Sequence, residues 1–178
     1  CVNWKTASNL EYKSTFKKKN NLVKNIEKNF EKNGYVIVPA NKKILEEIRN
    51  FIFSIIKKNK SLKIDKNYSV DKILNNFKKI IKINKLNNLR FDIYNKINNG
   101  KKFHDLYYKL TKEYLDDLVG NEISMQKKIN LSIQMPKDKD SLLDLHSDIY
   151  AGESPFQVVV WLPLVNAYGT KSMFFTNP

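Results

Sequence analysis

Apolar residues recur at spacings of three and four along the first two-thirds of the chain, the period of one helical face. Phe16, Leu22, Val23, Ile26 and Phe30 predict an amphipathic helix over 13–33. Gly34 follows, a residue suited to the left-handed conformation that ends many helices. Residues 1–12 lack periodicity and read as an arm. The β-branched run Tyr35-Val36-Ile37-Val38, closed by Pro39, reads as a short strand. Asn41 is a candidate N-cap for a helix striped by Ile44, Leu45, Ile48, Phe51, Ile52 and Ile55. Ser69 or Asp71 opens another, with Ile73, Leu74, Phe77, Ile80 and Ile81 inside. The Asn-rich stretch 83–100 gives no clear period. Phe103, Leu106, Tyr107, Leu110, Tyr114 and Leu118 predict a helix over 102–118, ended by Gly120.

The period then changes to two. Ile129–Met135 alternates as a strand does and stops at Pro136. Leu143–Tyr150 is a second strand candidate, and Gly152-Glu153-Ser154-Pro155 a turn. Gln157–Val165 is apolar almost throughout, the pattern of a strand buried on both faces. Lys171–Phe175 begins a fourth. Helices first and strands after predict one α+β domain over 1–178, mainly helical in 1–120 with one early strand, and strand-built in 121–178.

Composition narrows the class. The 42% of hydrophobic residues is enough for a core, which excludes global disorder. Cys1 is the single cysteine, so no internal disulfide forms, as in a reducing, cytoplasmic setting. The longest apolar run, Val158–Val165, is too short to span a bilayer, no secretory leader is visible, and no membrane partner is expected. The net charge of +14 lies in the helical part, where residues 1–120 hold 27 Lys and Arg against 12 Asp and Glu; residues 121–178 hold 5 against 6. Such a basic part suits nucleic acid or an anionic membrane surface. However, Lys, Asn and Ile dominate together, a mixture that AT-rich coding DNA yields whatever the function, and the lysines are scattered among isoleucines at helical spacing, which favours solvated helix faces over either partner.

The segment that carries chemistry is Leu145-His146-Ser147-Asp148. On a strand, residues i and i+2 share a face, so an imidazole and a carboxylate reach one metal from a single element. Mononuclear Fe(II) oxygenases use two histidines and a carboxylate on one face of the ion. A bare His-x-Asp is a weak motif, and a surface histidine beside a turn aspartate is its plain alternative. Its surroundings strengthen it. Asn130-Leu131-Ser132-Ile133-Gln134-Met135-Pro136 precedes it, and Pro155-Phe156-Gln157-Val158-Val159-Val160-Trp161-Leu162-Pro163-Leu164-Val165 follows.

In this arrangement the sequence resembles the phytanoyl-CoA hydroxylase-like 2-oxoglutarate/Fe(II) oxygenases. It is most similar to a bacterial subgroup associated with surface-carbohydrate gene clusters. Ser154-Pro155-Phe156, Thr170-Lys171-Ser172-Met173 and the opening Phe30–Val38 unit share in the likeness, which covers roughly 28–56 and 118–176. The resemblance implies N-terminal helices buttressing a double-stranded β-helix, a jelly roll left incomplete at the C-terminus because the chain is expected to stop mid-barrel at Pro178. It implies Fe(II) held by His146 and Asp148, with 2-oxoglutarate and O₂ as co-substrates. Gln134 either faces the iron and cofactor pocket or is an ordinary outward-facing strand residue, and Trp161 either lines the pocket of the substrate, a carbohydrate or its precursor, or packs in the core, as a Trp in an apolar strand more often does. The family's second iron histidine and its 2-oxoglutarate arginine have no counterpart after Asp148. His104 reads as an ordinary helix histidine, and Arg90-Phe91-Asp92 as a local surface ion pair. The rival readings are a metal-free or inactive jelly-roll binding domain and, behind it, a basic nucleic-acid-binding protein.

Overall fold

Five α-helices follow one another in the computed structural model, which describes residues 25–59, 62, 64, 67–136, 138, 146–169 and 172–173. They are α1 (Ile26–Asn33), α2 (Lys42–Lys58), α3 (Val70–Asn75), α4 (Leu86–Asn98) and α5 (Lys102–Val119), with 3₁₀ turns at Phe77–Lys79 and Ile83–Lys85. The part of the first predicted helix before residue 25 lies outside the described residues. Gly34 closes α1 at φ 74°, its N–H donating to the Phe30 carbonyl at 2.8 Å.

The caps follow the local sequence. The Asn41 side chain accepts from the Lys43 and Ile44 amides at 3.1 and 3.3 Å, satisfying two of the donors that a helix start leaves orphaned. At α3 the cap is Ser69, which accepts from the Lys72 amide at 3.2 Å, while Asp71 lies in the first turn. This helix stops at Asn75, short of the expected Ile80 and Ile81. Asn75 and Asn76 turn their amides back onto the carbonyls of Asp71 and Lys72. Such side chains offer the backbone alternatives to helix and favour its ends.

The stretch without a clear period contains α4. Leu86, Leu89, Ile93 and Ile97 are all at most 1% exposed, and their spacings of three and four are those of a buried helical stripe. Its asparagines lie largely on the other face. α2 is the central helix, touching α3, α4 and α5, and α5 also touches α1 and α4. The core between them is mostly isoleucine and leucine, with Ile48, Ile73 and Ile93 fully buried.

The expected jelly roll is not present. Among the described residues there is no strand and no sheet, and the molecule is helical. Helices pack on helices rather than buttressing a β-layer. Residues 35–38, 129–135 and 157–163 run without helix or turn and alternate between covered and exposed positions, as extended chain does, but none has a strand beside it among the described residues. Of the Leu143–Tyr150 strand, 146–147 are irregular and 148–150 form a turn, while 143–145 lie outside the described residues. Residues 172–173 are irregular, and the rest of the 171–175 strand is likewise undescribed.

The alternation in these segments nevertheless has a physical meaning. Leu131, Ile133 and Met135 are half-buried against the helical core, while Ser132 and Gln134 are exposed. Val158, Val160, Leu162 and Leu164 are likewise half-buried, but Val159 and Trp161 are 63% and 48% exposed. The second segment is therefore covered on one face and open on the other, not buried on both.

Helical side chains take the place of a β-ladder. The Asn98 amide group donates to the Ile129 carbonyl at 3.0 Å and accepts from the Ile129 amide at 2.8 Å, the exchange a neighbouring strand would make. Arg90 donates from Nε to the Ile133 carbonyl at 3.0 Å, and Arg49 to the Leu164 carbonyl at 3.1 Å. The Tyr107 hydroxyl donates to the Val160 carbonyl at 2.7 Å. Buried backbone polar groups need partners, and these four side chains supply them across the gap between helices and extended chain.

Candidate functional site

His146 and Asp148 stand where the chain leaves the undescribed residues 139–145 and enters a run of tight turns. The amides of Tyr150 and Ala151 donate to the Ser147 carbonyl, and those of Ala151 and Glu153 to the Asp148 carbonyl, at 3.0–3.2 Å. These bonds curl residues 147–153 into a compact knob. The pair is thus presented by an irregular segment and a turn, not by the strand expected from the i, i+2 spacing.

The two side chains still converge. His146 Nε2 lies 3.5 Å from Asp148 Oδ1, with the side chains 49% and 45% exposed. A polar contact that open to water adds little stability, typically under about 1 kcal/mol. Two donors about 2.1 Å from one metal ion at right angles would stand about 3 Å apart, so the observed spacing is near what a shared ion requires. The donor types, a neutral imidazole nitrogen and a carboxylate oxygen, suit Fe(II) or Zn(II). Among the described residues no third His, Cys, Asp or Glu joins them in a group able to hold a metal.

The other predicted site residues are distributed as follows. Gln134 lies on the outward side of its extended segment, and Trp161 lies on the open face of residues 157–164 instead of in the core. Apolar side chains on either side of Trp161 in sequence are also exposed, Phe156 at 71% and Tyr168 at 67%. His104 Nε2 sits 3.3 Å from the Gln126 carbonyl, consistent with its reading as an ordinary helix histidine. Arg90 and Asp92 are not a local pair. Arg90 reaches Asp138, 2.5 Å away and only 7% exposed, and Asp92 accepts from Asn59 Nδ2 at 3.0 Å. Sequence reasoning had no signal for the Asp138 partnership, because 48 residues separate its members.

A groove of about 280 Å³ opens elsewhere, between the start of α2 and the middle of α5, lined by Asn41, Ile44, Lys109, Lys112, Glu113 and Asp116. None of the predicted site residues borders it, and Lys112 is held by Asp116 at 2.8 Å. No described helix is long and apolar enough to cross a membrane. Comparison of the chain with protein-family models, with curated proteins and with solved structures finds no match. The class that the architecture itself defines is a helical domain with side-chain-tethered extended segments and an exposed His-x-Asp pair.

Proposed function

We propose that His146 and Asp148 are two protein ligands of a mononuclear Fe(II) centre, in a 2-oxoglutarate-dependent oxygenase acting on a carbohydrate or carbohydrate precursor. The observation that carries this reading is the 3.5 Å approach of an imidazole nitrogen and a carboxylate oxygen at an exposed turn. The resemblance of 118–176 to the phytanoyl-CoA hydroxylase-like oxygenases supplies the reaction class. Iron, when bound, would supply the activation of O₂ that drives decarboxylation of 2-oxoglutarate and oxidation of a C–H bond. The chain's own part is to hold two donors on one side of the ion and leave the other positions open. The outward Gln134 and Trp161 are the residues assigned to co-substrate and substrate. The helical layer has a supporting role: Arg49 and Tyr107 fix the segment that bears Trp161.

The test is succinate formation from 2-oxoglutarate by the full gene product, beside its His146→Ala and Asp148→Ala variants, with Fe(II) affinity measured anaerobically on all three. Both variants are expected to lose iron binding and succinate formation while keeping the helical far-ultraviolet spectrum, since both side chains are half-exposed. Unchanged iron affinity in both would reduce the pair to a surface ion pair and leave the metal-free binding domain as the better reading.

A further inference from the structure

The connection between α3 and α4 is pinned at two points and basic between them. Ile81 is 5% exposed and Leu86 1%, so both are anchored in the core, while all four residues between them face solvent. Lysines occupy four of the eight positions from 78 to 85, and no Asp or Glu occurs between Asp71 and Asp92. Lys78, Lys79, Lys82 and Lys85 are exposed. None of the four forms an ion pair with a described residue; the ion pairs seen involve Arg49, Arg90, Lys112 and His146. In the middle stands Ile83, 54% exposed on a single 3₁₀ turn.

Either feature alone is ordinary, because single exposed apolar residues and solvated lysines are common on protein surfaces. Their conjunction on one anchored turn narrows the partner. Single-stranded nucleic acid is gripped by aromatic stacking between cations, and duplexes are read by polar side chains at base edges. An isoleucine does neither. An anionic bilayer uses both features: its surface potential attracts lysines, and its acyl boundary takes up an apolar side chain. The lysine stems can lie along that boundary with their ammonium groups among the headgroups. We infer that the 78–85 turn docks the protein onto an anionic bilayer surface, with Ile83 entering the acyl boundary and the four lysines meeting the headgroups. This is attachment from one side and requires no spanning helix. It is also independent of the iron reading, since no predicted ligand lies in this turn.

The test is co-sedimentation of the full chain with vesicles of phosphatidylcholine alone or with about one-third phosphatidylserine. Partition onto the anionic vesicles is expected to be at least about tenfold higher and to fall steeply between about 0.1 M and 0.5 M salt. Replacing Lys78, Lys79, Lys82 and Lys85 together by Gln should remove about tenfold of it, and Ile83→Ser several-fold. An equal charge reduction at the exposed Lys42, Lys43, Lys57 and Lys58 of α2 should change it less than about twofold, which separates this turn from the general positive charge. All of these side chains are exposed, so the folded state is expected to persist, checked by the far-ultraviolet spectrum. Equal loss in the α2 variant, no effect of Ile83→Ser, or no preference for anionic vesicles would each overturn the inference. Retention of single-stranded RNA that depends on the four lysines but not on Ile83 would reassign the turn to nucleic acid.

Discussion

Asn98 makes three hydrogen bonds with one side chain: to the Tyr94 carbonyl at 2.9 Å and to both backbone groups of Ile129. Ile129 is 6% exposed, so its N–H and C=O have little access to water. Asn98→Ala would leave both without their partner, and a loss of about 2 kcal/mol is expected in denaturant unfolding. Asp138 poses a harsher case, because its carboxylate is only 7% exposed and its removal takes the charge partner from an Arg90 side chain that is itself only 22% exposed. Asp138→Ala should destabilise by about 3 kcal/mol, more than truncation of the half-exposed Asp148. Tyr107 adds a pH dependence. Burial pushes its hydroxyl from 10.0 up to about 12. The folded state therefore holds that proton more tightly than the unfolded chain. Its contribution is fully present below pH 10 and is lost as pH rises from about 10 through 12. A phenolate also cannot donate to the Val160 carbonyl. Tyr107→Phe is expected to cost about 1 kcal/mol at neutral pH and to flatten the alkaline fall of stability, read from urea midpoints across that window. A fall of the same steepness in the variant would assign it to other groups.

At the scale of elements, α4 shows how a stripe can be present and still be obscured. Leu86, Leu89, Ile93 and Ile97 have helical spacing, yet the asparagines around them are poor helix formers and favour turns. Tertiary burial decided the matter: the stripe faces α2 and α5, and the asparagines mostly line the solvent side. Ile93→Ala should therefore cost about 3 kcal/mol by opening a cavity, whereas Asn95→Ala should change stability by less than about 0.5 kcal/mol. The extended segments are the opposite case. The alternation of 129–135 was legible, and Leu131 and Ile133 do face inward, whereas 157–165 was read as buried on both faces and is covered only on the side of Val158, Val160 and Leu162. What it predicted wrongly was a sheet, which is absent among the described residues. Alternation reports that one face is covered, and here the cover is helical. Hydrogen exchange checks this directly: amides of 130–135 and 158–164 are expected to exchange far faster than those of α2 and α4, since no ladder among the described residues holds them. Protection equal to that of the helices would mean that strands pair there.

On the scale of the whole molecule, the helical layer was mostly legible and the candidate site only in part. The caps at Asn41 and Ser69, the stop at Gly34 and the stripes of α2 and α5 could all be read within a few residues of each position, because helix hydrogen bonds close over four residues. The proximity of His146 and Asp148 was also legible, since residues two apart cannot be far from one another, but the element that presents them was not. A strand exists only with a partner, and its partner is chosen by chain far away in sequence. The sequence by itself therefore determined α2, α5, the end of α1 and the start of α3, their inward faces and the identity of a possible donor pair, but not α4. Only the tertiary structure decided that Asn98, Arg90, Arg49 and Tyr107 would satisfy the extended backbone in place of neighbouring strands. Each of those contacts spans 31 to 115 residues, and no local pattern encodes a pairing at that distance.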